Sequence, residues 1–249
     1  MHGVATLKQR IAGLARPAGP AAARFALGDP WLDAAIGGGL ARGCLHELYA
    51  VDADDTASAT GFALLLARLA GADGRTLLWL RGKDEARRGG TLYGPGLAAL
   101  GVDPARLVVG IAPDPLALLR AASDALRCAG LAALVIECAG RIPRLDLTAS
   151  RRLALAAAAS GVTALIVRSQ ADPVPSAAET RWAIAAAPST ALMGAPGVPA
   201  FSVALLRHRG GREGLTSVLE WDDEHAAFSA RAPLPRIVVP MVRDRATGS

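Results

Sequence analysis

Residues 131–169, LAALVIECAGRIPRLDLTASRRLALAAAASGVTALIVRS, contain the pattern that decides the fold. The run AALVIEC at 132–138 and the run GVTALIVRS at 161–169 are largely apolar, as are strands of a parallel sheet covered on both faces. The segment between them, Leu147–Ser160, is predicted to be a helix. A strand, a helix and a second strand in this order predict a βαβ unit.

The same alternation extends toward the N-terminus. Further strands are predicted at CLHELYA (44–50), TLLWL (76–80) and RLVVGI (106–111), and further helices at 56–70, around Leu97 and at 115–128. After Asp172, the runs RWAIAAA, FSVALLRHR and TSVLEWD are separated by Pro and Gly turns without helices, which indicates antiparallel strands. We therefore predict an α/β protein whose three-layer core has a mainly parallel central sheet and antiparallel C-terminal strands.

The composition excludes several classes of protein. With 249 residues, of which 52% are hydrophobic, the chain is neither disordered nor a small disulfide scaffold. Its three cysteines, Cys44, Cys128 and Cys138, form no CxxC pair, which favours a reducing compartment. The uncharged stretches 153–167 and 183–206 are too short or too rich in Pro and Gly to span a membrane, and no secretory signal is visible. We expect a soluble, cytoplasmic protein.

Charge divides the chain into three parts. The net charge is +5, and it is concentrated in the two ends, because residues 25–230 carry a net negative charge. We predict a basic N-terminal arm and linker at 1–27, a core at 28–230 and a basic, Pro-containing tail at 231–249. Contacts with nucleic acid or an acidic partner are expected at the ends or at local patches, unless the ends are merely solvated. In the tail, the apolar segment IVVPMV is suited to adding to a partner's sheet edge, and the candidate partner-binding residues around it are Arg236, Arg243 and Arg245.

The first strand-to-helix loop is where a parallel α/β sheet commonly cradles phosphate. Here the loop begins AVDADDT, and its seven positions are Ala50, Val51, Asp52, Ala53, Asp54, Asp55 and Thr56. A phosphate loop needs glycines for backbone contacts and a lysine for charge, whereas this loop has three carboxylates and the chain's two lysines are Lys8 and Lys83. We predict a degenerate loop that binds no nucleotide, with Asp54 or Asp55 capping the following helix instead.

No other catalytic or metal-binding constellation is evident. Glu137 lies at the end of the strand AALVIEC, where an ATPase has its second acidic residue, but without a phosphate cradle we expect its carboxylate to be satisfied by neighbours or to face a polar crevice. The four histidines, His2, His46, His208 and His225, have no partners at metal-ligand spacing, and no GxSxG elbow is present. We expect no catalysis, no cofactor and no metal.

Three segments are similar to RecA-type recombinases: WLDAAIGGGLARGCLHELYA at 31–50, the run from Gly96 to Glu137, and FSVALLRHR at 201–209. More specifically, LYGPGLAALG at 92–101, DLTASRRLALAAAASGVTALIVR at 146–168 and PSAAETRWAIAAAPS at 175–189 resemble the ImuA family. The similarity covers roughly residues 28–230 and implies a RecA-like core.

The resemblance also implies a function. ImuA-like proteins are accessory proteins of SOS-inducible, mutagenic translesion DNA synthesis, and their partners are ImuB and an error-prone C-family polymerase. The degenerate loop puts ATP-driven filament assembly in doubt and favours a non-catalytic adaptor between that polymerase assembly and RecA or damaged DNA. Two alternatives remain open: a cell-division inhibitor like the related SulA, and an atypical ATPase that uses Lys83 or arginines from a neighbour.

Two arginine groups are candidate contact sites. Arg207 and Arg209 match a pair of lysines that RecA relatives place against the nucleotide of an adjoining subunit, so they are candidates for docking on an ATP-bearing RecA subunit. A second group lies where RecA has its first DNA-binding loop and consists of Arg141, Arg144, Arg151 and Arg152. Because no aromatic residue lies between Tyr93 and Trp182, contact with single-stranded DNA is expected to be weak or indirect. For both groups, simple solvation is the alternative.

Overall fold

A computed structural model of the protein describes residues 23–190, 197–210 and 213–230. Its strands are β1 (Arg24–Phe25), β2 (Leu40–Ala41), β3 (Leu45–Ala50), β4 (Thr76–Gly82), β5 (Leu107–Ala112), β6 (Leu131–Ala139), β7 (Thr163–Ser169), β8 (Thr180–Ala186), β9 (Ala200–His208), β10 (Leu215–Asp222) and β11 (Ala227–Ala230). Its α-helices are α1 (Pro30–Ala35), α2 (Thr56–Ala70), α3 (Lys83–Gly89), α4 (Gly94–Ala99), α5 (Pro115–Ala125) and α6 (Leu147–Ser160). Single 3₁₀ turns are formed by Ala53–Asp55 and Pro104–Arg106.

Nine strands form one sheet in the order β11-β10-β9-β8-β3-β7-β6-β4-β5. The strands from β5 to β8 are parallel to one another, and β9, β10 and β11 are added by antiparallel pairing. The predicted mainly parallel sheet with antiparallel C-terminal strands is therefore confirmed. The strand direction reverses between β8 and β9: β8 pairs in parallel with β3 on one side and antiparallel with β9 on the other.

Helices cover the parallel part of the sheet on both faces. Successive residues of β6 alternate between two cores: Val135 packs in the core that contains Phe62 of α2, and Leu134 in the core that contains Leu118 of α5 and Leu153 of α6. This double cover explains why β6 has eight consecutive buried residues, whereas the antiparallel strand β9 alternates between buried and more exposed positions.

The short elements α1, β1, β2 and β11 were not predicted from the sequence. Two further differences have simple causes. Helix α5 ends at Ala125 rather than at residue 128, because Cys128 N donates to Ala125 O in a turn that leads into β6. Helix α3 was not predicted, since its seven residues include five charged side chains and no apolar period.

The first described residues of the chain pack against the core. Phe25 and Leu27, which the sequence assigns to the basic arm, are buried, and Phe228 N donates to Leu27 O at 2.7 Å. Residues 24–27 thus pack with the core. Residues 1–22 and the predicted tail 231–249, with Arg236, Arg243 and Arg245, lie outside the described residues.

Within the described part of the chain, no helix has the length and apolar character needed to cross a bilayer.

Candidate functional site

A cavity of about 480 Å³, here called the central cavity, opens at the carboxyl ends of the parallel strands. This is the position at which open α/β sheets bind ligands. Thr56 at the start of α2, Arg81 on β4, Glu137 on β6 and Gln170 after β7 are among the residues that line it. The cavity therefore lies beside the loop that the sequence identifies as a degenerate phosphate loop.

That loop is closed by one of its own carboxylates. Asp55 Oδ2 accepts a hydrogen bond from Asp52 N at 3.2 Å, and Asp55 Oδ1 accepts one from Ala186 N of β8 at 2.8 Å. The prediction that Asp54 or Asp55 caps α2 is corrected on this point. Asp55 occupies the N-cap position of α2 without a side-chain cap bond to that helix, and the bond to Asp52 N caps the preceding 3₁₀ turn, Ala53–Asp55. Asp55 also joins the loop to the neighbouring strand.

The remaining groups of the loop also disfavour phosphate. Asp52 and Asp54 are exposed, and the Thr56 hydroxyl donates to Ala53 O at 2.7 Å. A carboxylate about 4 Å from a phosphate oxygen is repelled by roughly 1 kcal/mol in water and by about 4 kcal/mol at an effective dielectric constant of 20. Lys83, the one lysine of the described residues, is exposed at the start of α3 and is not among the residues that line the central cavity.

Glu137 is held by neighbours, as the sequence interpretation expects. Its Oε2 atom accepts hydrogen bonds from Trp79 Nε1 at 3.1 Å and Arg81 Nε at 2.7 Å. Arg81 also donates to Gly90 O at 3.0 Å and Glu85 O at 3.1 Å, so its guanidinium fixes the segment after β4. Both side chains of the ion pair are buried, and Glu137 is engaged within the protein.

The sequence prediction missed Trp79 and Arg81. Trp79 and Arg81 are two residues apart on β4 and therefore share a face of the strand. Arg81 pairs in register with Glu137 at the end of β6, and Trp79 pairs in register with Val135. An arginine directly after the run TLLWL was a usable signal, but only the pairing of β4 with β6 identifies its partner.

A second buried polar cluster lies at β3 and β8. Glu47 Oε2 accepts from Ser176 Oγ at 2.8 Å and from Arg181 Nε at 3.0 Å, and Arg181 Nη2 also donates to Ser176 Oγ at 2.9 Å. Burial raises the pKa of the nearby Tyr49 hydroxyl. The guanidinium groups of Arg168 and Arg181 lie over the Tyr49 ring. These contacts attach the segment between β7 and β8 to the sheet.

The two candidate RecA-docking arginines lie at the end of β9 and differ in exposure. Arg207 is half-buried, and its Nη1 atom donates to Ser176 O at 3.2 Å. Arg209 is exposed. One arginine of the pair is therefore fixed to the protein, and the other extends the same strand end into solvent.

The four candidate DNA-contact arginines are exposed, and they do not all line the same cavity. Arg144 and Arg152 line a groove of about 550 Å³ between α5 and α6, together with Arg120, which the sequence prediction missed. Arg141 lines a different cavity, and Arg151 lines neither. Asp124 and Asp146 also line the groove, which reduces its positive charge.

The described His and Cys side chains include two buried groups, His46 and Cys138, whose pKa values are shifted. Among the described residues, no group of three or more His, Cys, Asp or Glu side chains could hold a metal ion. Burial raises the pKa of the Cys138 thiol to about 12, so the thiolate is not populated near neutral pH. Burial also lowers the pKa of His46 to about 4, while its ring nitrogens contact Thr180 Oγ1 at 2.8 Å and Ala41 O at 2.9 Å.

The strand order and the loop at the head of α2 define the class of protein. A crystal structure of the RadB recombinase matches 84% of this chain and 100% of its own with a TM-score of 0.56, so the fold is RecA-like. At 15% identity, this similarity shows the fold alone.

Sequence relatives then define the family. The chain is 35% identical over 210 residues to Protein ImuA from two strains of Caulobacter vibrioides, NA1000 / CB15N and ATCC 19089 / CIP 103742 / CB 15. The match covers 76% of this chain and 80% of each relative, and the chain belongs to the ImuA family. No protein-family model matches the chain.

Proposed function

We propose that this protein is a non-catalytic accessory protein of SOS-inducible, mutagenic translesion DNA synthesis. In this role it is an adaptor between an ImuB-containing polymerase assembly and RecA or damaged DNA. Membership of the ImuA family supports the pathway. The RecA-like fold supports a surface that contacts RecA or DNA.

The observation that carries the adaptor role is the bonding of Asp55 to Asp52 N and Ala186 N. A nucleotide-driven RecA relative needs its phosphate loop open to the triphosphate, whereas here the loop is joined to β8 by an internal carboxylate. The ion pair between Arg81 and Glu137 also supports a role without ATP turnover. An ATPase would use the acid at the end of β6, and here that acid is bonded to Arg81. A RecA-like core of this kind is suited to holding partners without turnover.

Two surfaces fit the proposed partners. Arg209 presents an exposed guanidinium at the end of β9, next to the anchored Arg207, and guanidinium groups are good donors to phosphate oxygens. The groove of Arg120, Arg144 and Arg152 fits a weak contact with the phosphate backbone of single-stranded DNA. We assign the first surface to RecA and the second to DNA.

Binding measurements on the full-length protein test the proposal. We expect immobilised protein to retain purified ImuB, alone and with the C-family polymerase, and calorimetry to detect no ATP binding up to millimolar concentration. Deletion of residues 231–249 is expected to weaken ImuB binding if the apolar tail segment contributes.

Failure to retain ImuB would contradict the adaptor role, and micromolar ATP binding would favour the atypical ATPase instead. Overexpression in cells without the polymerase partners tests the other alternative, because a SulA-like division inhibitor would make those cells filamentous.

A further inference from the structure

A second, smaller cavity lies at the opposite end of α2 from the degenerate loop. It has a volume of about 200 Å³ and is lined by Arg68 at the end of α2, Arg75 before β4, and Arg106 with Asp103 before β5. We propose that this cavity binds a single phosphate group. The proposed function makes no use of it, so the two proposals stand independently.

Arg68 is the arginine of this cavity for which the described residues provide no hydrogen bond to Nε. Its Nε atom is buried and has no hydrogen-bond partner within the described chain. An arginine in the last turn of a helix commonly interacts with the helix's terminal carbonyl groups. Here Arg42 takes that role, since its Nη1 atom donates to Ala70 O and its Nη2 atom to Leu69 O. Arg68 therefore does not bond to these carbonyl groups, and its side chain lines the cavity instead.

The other two arginines are held in place by contacts that use part of each guanidinium. Arg75 pairs with Asp73 through Nε at 2.7 Å and donates to Leu131 O through Nη1 at 3.0 Å. Arg106 donates to Gly74 O through Nη1 at 2.6 Å and lies 3.4 Å from Asp103 through Nε. These bonds fix both groups and leave the Nη2 atom of each for a ligand.

Charge and size both favour phosphate. The lining contains three guanidinium groups and one carboxylate, that of Asp103, with Asp73 beside Arg75. Guanidinium forks bind phosphate oxygens through paired hydrogen bonds. Sites for whole organic ligands usually measure about 300–1,000 Å³, so a cavity of about 200 Å³ accepts a phosphate group with a few waters rather than a nucleotide.

Two glycines allow the arginines to come this close to the backbone. Gly74 and Gly101 have positive φ angles of 83° and 73°, which favour glycine. A Cβ atom on Gly101 would lie 2.9 Å from Arg68 Nε. The glycine at position 101 therefore lets the backbone pack directly against Arg68 Nε, and a ligand would contact the terminal nitrogens of this side chain.

Calorimetry and ³¹P line broadening with inorganic phosphate, at low ionic strength and on the full-length protein, test the proposal. We expect saturable binding that Arg68→Gln weakens at least tenfold. Arg106→Gln, at an exposed side chain, is expected to weaken it severalfold, and the exposed Arg87→Gln on α3 is the matched control. Competition by a 5′-phosphorylated oligonucleotide, but not by its 5′-hydroxyl counterpart, would assign the phosphate to a DNA end, whereas competition by neither would assign free phosphate.

Absence of saturable phosphate binding to the wild-type protein would overturn the proposal. So would binding that Arg68→Gln and Arg106→Gln leave unchanged while both variants retain the wild-type circular dichroism spectrum and unfolding midpoint.

Discussion

Arg81 Nε lies 2.7 Å from Glu137 Oε2, and the two side chains are only 6% and 7% exposed. Removing one member of a buried pair leaves the other charge without compensation, which typically costs about 3–5 kcal/mol. We therefore expect Arg81→Met to lower the free energy of unfolding by that amount in urea titrations. The double variant Arg81→Met with Glu137→Leu is expected to recover much of the loss. An equal loss in Arg87→Ala, which breaks an exposed pair with Asp84, would contradict this explanation.

The hydrogen bonds of Asp55 give a second prediction. In Asp55→Ala, Asp52 N and Ala186 N lose their acceptor, and we expect the free energy of unfolding to fall by about 1–2 kcal/mol. Hydrogen exchange at Ala186 is expected to accelerate. Asp54→Ala is the control, because Asp54 is exposed in the same loop. Similar losses in both variants would show that general loop charge, rather than the link to β8, determines stability.

His46 predicts how stability depends on pH. Burial lowers its folded-state pKa from 6.5 to about 4, so the unfolded chain binds the proton more readily. The stability that neutral His46 contributes is present above pH 6.5 and is lost as the pH falls toward 4. Between pH 6.5 and 5, we expect a decrease of roughly 2 kcal/mol in the free energy of unfolding. In His46→Gln this part of the slope should disappear, and an unchanged slope would exclude His46 as its source.

The groove between α5 and α6 predicts a salt-dependent, weak interaction with single-stranded DNA. Each arginine that neutralises a phosphate contributes about 0.7 to the slope of log affinity against log salt concentration. Fluorescence anisotropy is expected to show a slope that decreases by about that amount in Arg144→Gln and again when Arg152→Gln is added. Arg87→Gln, far along the chain on α3, should change little. A slope near zero for the wild-type protein would rule out phosphate contacts in this groove.

The end of β9 predicts a charge-dependent contact with RecA. We expect Arg209→Glu to weaken binding to ATP-loaded RecA at least tenfold in surface plasmon resonance, because reversal places a carboxylate against phosphate. Arg207→Glu is expected to have a similar effect, but it also removes the hydrogen bond to Ser176 O. Arg209→Glu is therefore the cleaner variant, and normal RecA binding by the double variant would eliminate this docking surface.

Local patterns were enough to predict most of the architecture. The strand after Leu131 and the helix from Leu147 are evident because a strand buried on both faces is apolar throughout, and because a helix needs a longer segment than a strand. The absence of a lysine and of glycines between Leu48 and Gly61 likewise needs no structure, since a phosphate loop is a contiguous motif.

Partners of individual side chains could not be predicted in this way. The sequence marks Asp55 as a helix cap, yet its carboxylate bonds to Ala186 N, 131 residues away. Arg120 joins Arg144 and Arg152 in one groove because α5 and α6 pack side by side, whereas Arg141 lines a different cavity. Charge spacing along the chain does not contain this information.

The sequence by itself determined the succession of the long strands and helices, the acidic loop and the family resemblance, because each depends on residues that are neighbours in the chain. Only the tertiary structure decided which acid holds the loop, which arginine neutralises Glu137 and which arginines share a groove. The physical reason is that strand pairing and helix packing bring together residues that are distant in sequence, and hydrogen bonds and ion pairs depend on separations of about 3 Å.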